Sequence, residues 1–172
     1  MALQMNMRMD GISSDSSSPG HKAWVEVLSW NWGMTSNRKL AQANGEDKTN
    51  LNELSFVKSI GTDSSQIRLL FAQGKVIPNV EFSVMLGVGK RETPVKYVNL
   101  KLKNVVIKSI VTGGNTEDNF FKEHITLLFD RINYEYSKTG PSGSNGAAGI
   151  TEDYDFGWNI PKNAEWKLSE NV

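Results

Sequence analysis

Apolar and polar residues alternate along most of this chain, and a period of two marks strands with one buried face. Leu3, Met5, Met7 and Met9 are separated by Gln4, Asn6 and Arg8, so Leu3 to Asp10 predicts a strand. A Ser-rich loop comes next, from Ser13 to Gly20. Lys22 to Gly33 predicts one long strand, with Trp24, Leu28, Trp30 and Trp32 on one face and Val25, Val27, Ser29 and Asn31 on the other. Met34 to Lys48 is polar, contains Asn44-Gly45, and reads as an extended loop before a strand from Thr49 to Ile60.

The period then changes. Ile67, Leu70 and Phe71 form an i, i+3, i+4 stripe, with Asp63 and Gln66 placed as a capping box, Gly74 placed to end the helix and Pro78 beyond it. Strands resume with Val80, Phe82, Val84 and Leu86 on one face, then a turn over Gly87 to Thr93. Val95 to Leu102 and Val105 to Thr112 read as two further strands, before the turn Gly113-Gly114-Asn115. Lys122 to Tyr136 reads as one long strand. Ser137 to Gly149 is rich in Gly, Ser and Ala and reads as a flexible loop, and Tyr154 to Ile160 as a last strand. The sum is a mainly β protein, a two-sheet sandwich or barrel with one short α-helix on its side. We expect a single domain over residues 1–172, with an extended loop at 34–48, a flexible loop at 137–149 and a C-terminal tail at 161–172.

Composition narrows the chemistry. With 172 residues the chain can bury about two-thirds of its unfolded surface. Its 19 basic residues balance 19 acidic ones, which argues against a general nucleic-acid binder. There is no cysteine, so disulfides, thiolate nucleophiles and Cys-ligated metals are excluded. The longest apolar run, Leu69 to Ala72, is far too short to span a bilayer, and alternation in the first ten residues leaves no signal-peptide core. No membrane insertion and no cleaved signal peptide are expected.

No catalytic constellation stands out. His21 and His124 have no metal-binding spacing, and His124 alternates with Thr126 and Leu128 as a strand residue. Gly87-Val88-Gly89-Lys90 lacks the first glycine and the Ser or Thr of a phosphate loop. Glu117-Asp118 and Glu152-Asp153 lie in turn-like stretches that supply no apolar pocket for acid catalysis. Lys96, Lys101, Lys103 and Lys108 read as edge-strand gatekeepers. Trp24, Trp30 and Trp32 share a face with Leu28, which favours a core or subunit interface over a carbohydrate-stacking platform. Neither an enzyme nor a cofactor is expected.

One segment carries a family pattern. His21 to Met34 ends in Glu26-Val27-Leu28-Ser29-Trp30-Asn31-Trp32-Gly33 and resembles the haemolysin-coregulated proteins (Hcp), tube subunits of type VI secretion systems. The resemblance continues through Glu53 to Lys58, the short helix, Pro94 to Val105, Ser109 to Gly114 and Gly157-Trp158-Asn159-Ile160. It implies a compact two-sheet fold, shared with phage tail-tube subunits, whose copies form homohexameric rings that stack into a tube. A contractile sheath would propel that tube, behind a tip spike, from the bacterial cytoplasm into the extracellular space or a target cell. Small effector proteins would ride in the lumen. By the same resemblance Ser29 and Asn31 face the lumen. The extended loop, with Arg38, Lys39, Glu46 and Asp47, meets the adjacent ring, although Ala41-Gln42-Ala43-Asn44-Gly45 replaces the Gly-rich run of many relatives. Trp24, Trp30, Trp32 and Trp158 are core or subunit-interface aromatics. The stretch after Ile160 is too short for a fused effector domain, so a plain structural subunit is expected.

Overall fold

The computed structural model describes residues 3–18, 20–36, 50–86, 95–141 and 148–168. Its strands are β1 (Leu3–Met9), β2 (Val25–Glu26), β3 (Ser29–Asn31), β4 (Met34–Thr35), β5 (Asn50–Leu51), β6 (Leu54–Ser59), β7 (Ile77–Leu86), β8 (Val95–Gly113), β9 (Lys122–Leu128), β10 (Arg131–Pro141), β11 (Ala148–Asn159) and β12 (Ala164–Glu165), with one helix, α1 (Ser64–Ala72). All described pairings are antiparallel. A first layer runs β12-β11-β10-β8-β7-β1-β2. A second runs β3-β6-β9 and the latter half of β8. β4 and β5 pair separately. The result is the expected β-sandwich with a short helix, and its outer strands β12 and β2 do not pair to close a barrel.

The two layers bury one core between them. Met7, Val80, Phe82, Leu100, Leu102 and Ile132 come from the first layer, Leu54, Phe56, Ile125 and Leu127 from the second, and Ile67 from the helix. Each is at most 2% exposed, and burial of such side chains stabilises by about 1.5–3 kcal/mol apiece. Trp30 bridges the layers, its ring 4.9 Å from that of Phe82.

Several expected elements are cut or joined differently, and the common reason is that the chain changes layers. Lys22 to Gly33 is not one strand. The Val27 N–H donates to the Met5 carbonyl in the first layer, and the next N–H, of Leu28, donates to the Val57 carbonyl in the second. The alternation therefore slips: Val25 and Val27 are buried, whereas Leu28, Ser29 and Asn31 are exposed, so the two valines do not share a face with Ser29 and Asn31. Lys122 to Tyr136 breaks for the same reason between β9 and β10. The reverse happens in β8, where two expected strands are one 19-residue strand that serves both layers. Its change of layer falls beside Asn104, whose φ of 51° is left-handed, a conformation asparagine tolerates.

Thr49 to Ile60 divides into β5 and β6. Within the flexible loop expected at Ser137 to Gly149, the described ends are paired as strands, Ser137 with Asp153 and Pro141 with Ala148, while residues 142–147 lie outside the described residues. The described part of the tail, residues 161–168, is not free either. β12 pairs with β11, and Trp166 is buried, with its carbonyl so close to Gly157 that a Cβ there would lie 1.8 Å away. Lys96, Lys101 and Lys103 lie on an interior strand and not at an edge, and Lys96 pairs across to Glu135 at 3.0 Å. Only Lys108 sits on the open half of β8, at a bulge.

The helix is as expected in length and ending. Gly74 has φ of 60°, its N–H donates to the Phe71 carbonyl, and the Lys75 N–H donates to Leu70, the paired bonds of a Schellman motif. Ile67 is buried and Leu70 half-buried, but Phe71 is 44% exposed. The capping box does not form. Gln66 instead grips the backbone of Ser13, accepting its N–H at 3.1 Å and donating to its carbonyl at 3.3 Å. Asp63 is drawn away by Lys58.

Candidate functional site

The second layer presents one open face, and strand register dictates what it shows. In antiparallel pairs, residues directly opposite point the same way. Asn31 lies opposite Ser55, Ser55 opposite Thr126, and Thr126 opposite Ser109. The next row reads Ser29, Val57, His124 and Val111. None of these eight is buried, and Val111 is 61% exposed. Hydroxyls, an amide, two valines and one histidine thus make a belt without a carboxylate, ammonium or guanidinium. Among the described residues, charge appears only at its margins, where Lys108 pairs with Glu53 and Lys122 with Asp118. Ser29 and Asn31, singled out by the sequence, both lie on the belt. Ser55, Ser109, Thr126 and His124 join them only through register.

The opposite face of the same sheet is charged and closed. Lys58 lies opposite Glu123. Both are at most 2% exposed, as is Asp63. The Lys58 ammonium is 3.0 Å from a Glu123 carboxylate oxygen, 3.0 Å from Asp63 and 3.0 Å from Ser64 Oγ, and it donates to the Ser59 carbonyl. Ser64 Oγ donates to Glu123 at 2.7 Å and accepts the Gly61 N–H. Arg68 completes the network from α1, reaching the other Glu123 oxygen at 2.5 Å and Thr112 at 2.8 Å. Burial alone would raise the Glu123 carboxyl. The Ser64 hydrogen bond, the hydrogen bond and charge of Lys58 and the charge of Arg68 outweigh it and hold the group below the ordinary carboxylate range. Sequence reasoning overlooked this network. A signal existed, because Lys58 comes after Leu54 and Phe56, and Glu123 precedes Ile125 and Leu127, at core-facing positions of their alternations.

The remaining candidates separate. Trp30, Trp32 and Trp158 pack against the core, whereas Trp24 stands edge-on to buried His21 beneath the Arg8 guanidinium. The three N-terminal tryptophans therefore do not form one flat platform. The N–H groups of Glu117 and Asp118 donate to Asn115 Oδ1, which caps their turn, while Glu152 and Asp153 are exposed on β11. Arg38, Lys39, Glu46 and Asp47, like Gly87 to Lys90, lie outside the described residues. Among the described residues, no group of three or more His, Asp or Glu is arranged for a metal ion, and no helix is long and apolar enough to cross a membrane.

Known proteins match this chain over nearly its whole length. The family model described as type VI secretion system effector, Hcp, matches residues 6–136. The protein hcp1 of Pseudomonas aeruginosa is 26% identical over 167 residues, covering 96% of this chain and 99% of its own. A solved type six secretion system protein superposes with a TM-score of 0.81 at 21% identity, covering 96% of this chain and 100% of that one. Hcp1 from Salmonella typhimurium gives 0.74, also at 21% identity and with the same coverage.

Proposed function

The chain belongs to the Hcp family of type VI secretion system proteins, and we propose that it is the repeating subunit of the secretion tube, assembling as homohexameric rings that stack. The observation that carries this reading is the neutral belt on a sheet with two open edges. β3 bounds the second layer on one side and the latter half of β8 on the other, and neither has a further strand partner among the described residues. Different edges on one sheet suit a heterologous contact, which closes into a ring when copies repeat around an axis.

In such a ring the belt lines the channel, with Ser29 and Asn31 facing the lumen and the effector proteins carried there. A wall of hydroxyls and an amide suits varied cargo, because it offers hydrogen bonds without selecting a sign of charge. The outer face of the first layer, where Arg8 pairs with Glu81 and Lys96 with Glu135, turns outward towards sheath proteins. Arg38, Lys39, Glu46 and Asp47 meet the next ring, and tip-spike proteins meet the end of the stack. No catalytic step is assigned to the chain. Its route runs from the bacterial cytoplasm to the extracellular space or a target cell.

Solution mass and electron microscopy test the reading: rings with an open centre are expected. A persistent monomer at high concentration overturns it. A carbohydrate-binding module gains no support, since Trp30 and Trp32 are packed inward.

A further inference from the structure

We propose that an aromatic knob at one end of the second layer seats in an apolar groove at the other end of a second copy, in the adjacent ring, a pairing that rests on the tube reading and gives the stack its polarity. The knob is the turn between β8 and β9. Phe120 is 71% exposed there, with Phe121 exposed beside it. The turn is firmly built. Asn115 Oδ1 accepts the Glu117 and Asp118 N–H groups, and the Phe121 carbonyl accepts the Ile60 N–H. The Phe121 ring lies against bare Gly114, where a Cβ would collide with it. The groove has a volume of about 560 Å³ and is lined by Val76, Asn104, Val106, Leu128, Phe129 and Asp130. Val76 and Leu128 are exposed in it. Its polar wall is fixed, because Asn104 donates to the Asp130 carboxylate at 3.1 Å and the Asp130 backbone bonds Lys103 and Ile160.

Strand register sets knob and groove apart. Gly113 lies opposite Lys122 beside the knob, and Val106 lies opposite Leu128 in the groove. The whole of β9 separates them, about 20 Å at the rise of a strand, so a knob cannot fill the groove of its own chain. A second copy suits the groove for three reasons. In the tube reading ring neighbours take the edges of this sheet, which leaves its ends for neighbours above and below. The chain between β3 and β6, which carries Arg38, Lys39, Glu46 and Asp47 towards the next ring, leaves the sheet at the groove end, where Leu54 pairs with Leu127. Charge agrees as well: exposed Glu117 stands on the knob and exposed Lys75 precedes Val76 at the groove. Exposed apolar patches mark contact surfaces, and a protrusion that meets a different pocket on the next copy generates an open stack of one polarity.

The chain has no cysteine, so an introduced pair reports without background. Phe120→Cys and Val76→Cys are placed in one chain, and the assembled protein is mildly oxidised and run on a denaturing gel without reductant. A covalent ladder extending beyond the hexamer is expected, because a contact between rings is not limited by the ring, and neither single variant should give it. A ladder that stops at the hexamer puts the contact within a ring and overturns the proposal. So does Phe120→Cys alone if it forms dimers as readily as the pair forms its ladder, since knob would then meet knob. In a second measurement, Phe120→Ser should leave rings intact and raise the concentration at which they stack, read by light scattering, about tenfold or more. Val111→Ser, at the middle of the belt, should leave that concentration unchanged, and equal effects of the two count against the knob. Tubes seen by electron microscopy without a ladder overturn the knob-and-groove pairing and leave the tube reading standing. Rings that never stack overturn the pairing and leave only ring assembly. Failure of the wild type to form rings overturns both.

Discussion

The two faces of the second sheet differ by one residue at every step. Val57 and His124 are opposite one another on the open face, and their immediate successor and predecessor, Lys58 and Glu123, are opposite one another on the closed face. Charged side chains are normally the exposed ones, and neutral ones the buried. Here the order is inverted. The lesson is that charge placement follows the neighbour each face must meet. The closed face meets a helix that can be held by directed ion pairs. The open face, in the tube reading, meets cargo of no fixed pattern.

Breaking the closed face should cost most. Lys58→Met leaves Asp63 buried without its cation and Glu123 with Arg68 alone, and losing one partner of a buried pair costs about 3–5 kcal/mol, measurable by urea denaturation. Adding Glu123→Gln should recover part of that loss. An unchanged midpoint in the single variant would show the network to be energetically idle.

Acid should reveal the same asymmetry. Because the folded Glu123 carboxyl lies below its unfolded value, its contribution is complete above about pH 4.3 and is lost as pH falls through the lower folded value. Stability measured across that acid range should therefore fall less steeply in Glu123→Gln than in the wild type. Equal slopes would remove Glu123 from the account.

Arg68 sharpens the contrast from within the network. Its side chain is 44% exposed, so Arg68→Ala should cost only about 0.5–1 kcal/mol, far less than Lys58→Met. On the open face the effect on stability should nearly vanish. Asn31→Trp, on an exposed edge strand, should shift stability by no more than about 0.5 kcal/mol and leave rings intact while blocking cargo association. Loss of rings in that variant would remove Asn31 from the channel.

Local order was legible in the residues and long-range order was not. β1 and the Gly74 helix ending depend on neighbours within a few positions, and both match the sequence pattern closely. The capping box failed because Asp63 and Gln66 had partners outside the helix to satisfy, Lys58 on β6 and Ser13 fifty-three residues away. The layer changes at Val27, Asn104 and Phe129 carry weak local signals, since a strand that crosses between sheets keeps its strand-like composition. That Ser29 and Asn31 share one exposed face was legible in their alternation with Trp30 and Trp32. Their cross-strand neighbours, and the Lys58–Glu123 pair 65 residues apart, required register that only the folded chain supplies. Trp166 escaped notice because nothing near it alternates, and its place is set by the bare backbone of Gly157.

The layer changes also have a mechanical consequence. The chain passes from one sheet to the other between β2 and β3, within β8, and between β9 and β10, so the layers are joined by covalent backbone as well as by side-chain packing. Sliding one sheet over the other would have to pull the pairing of these shared strands apart as well as shear the core. A subunit built this way resists relative motion of its two layers, which in the tube reading suits a stack that must pass force from one ring to the next.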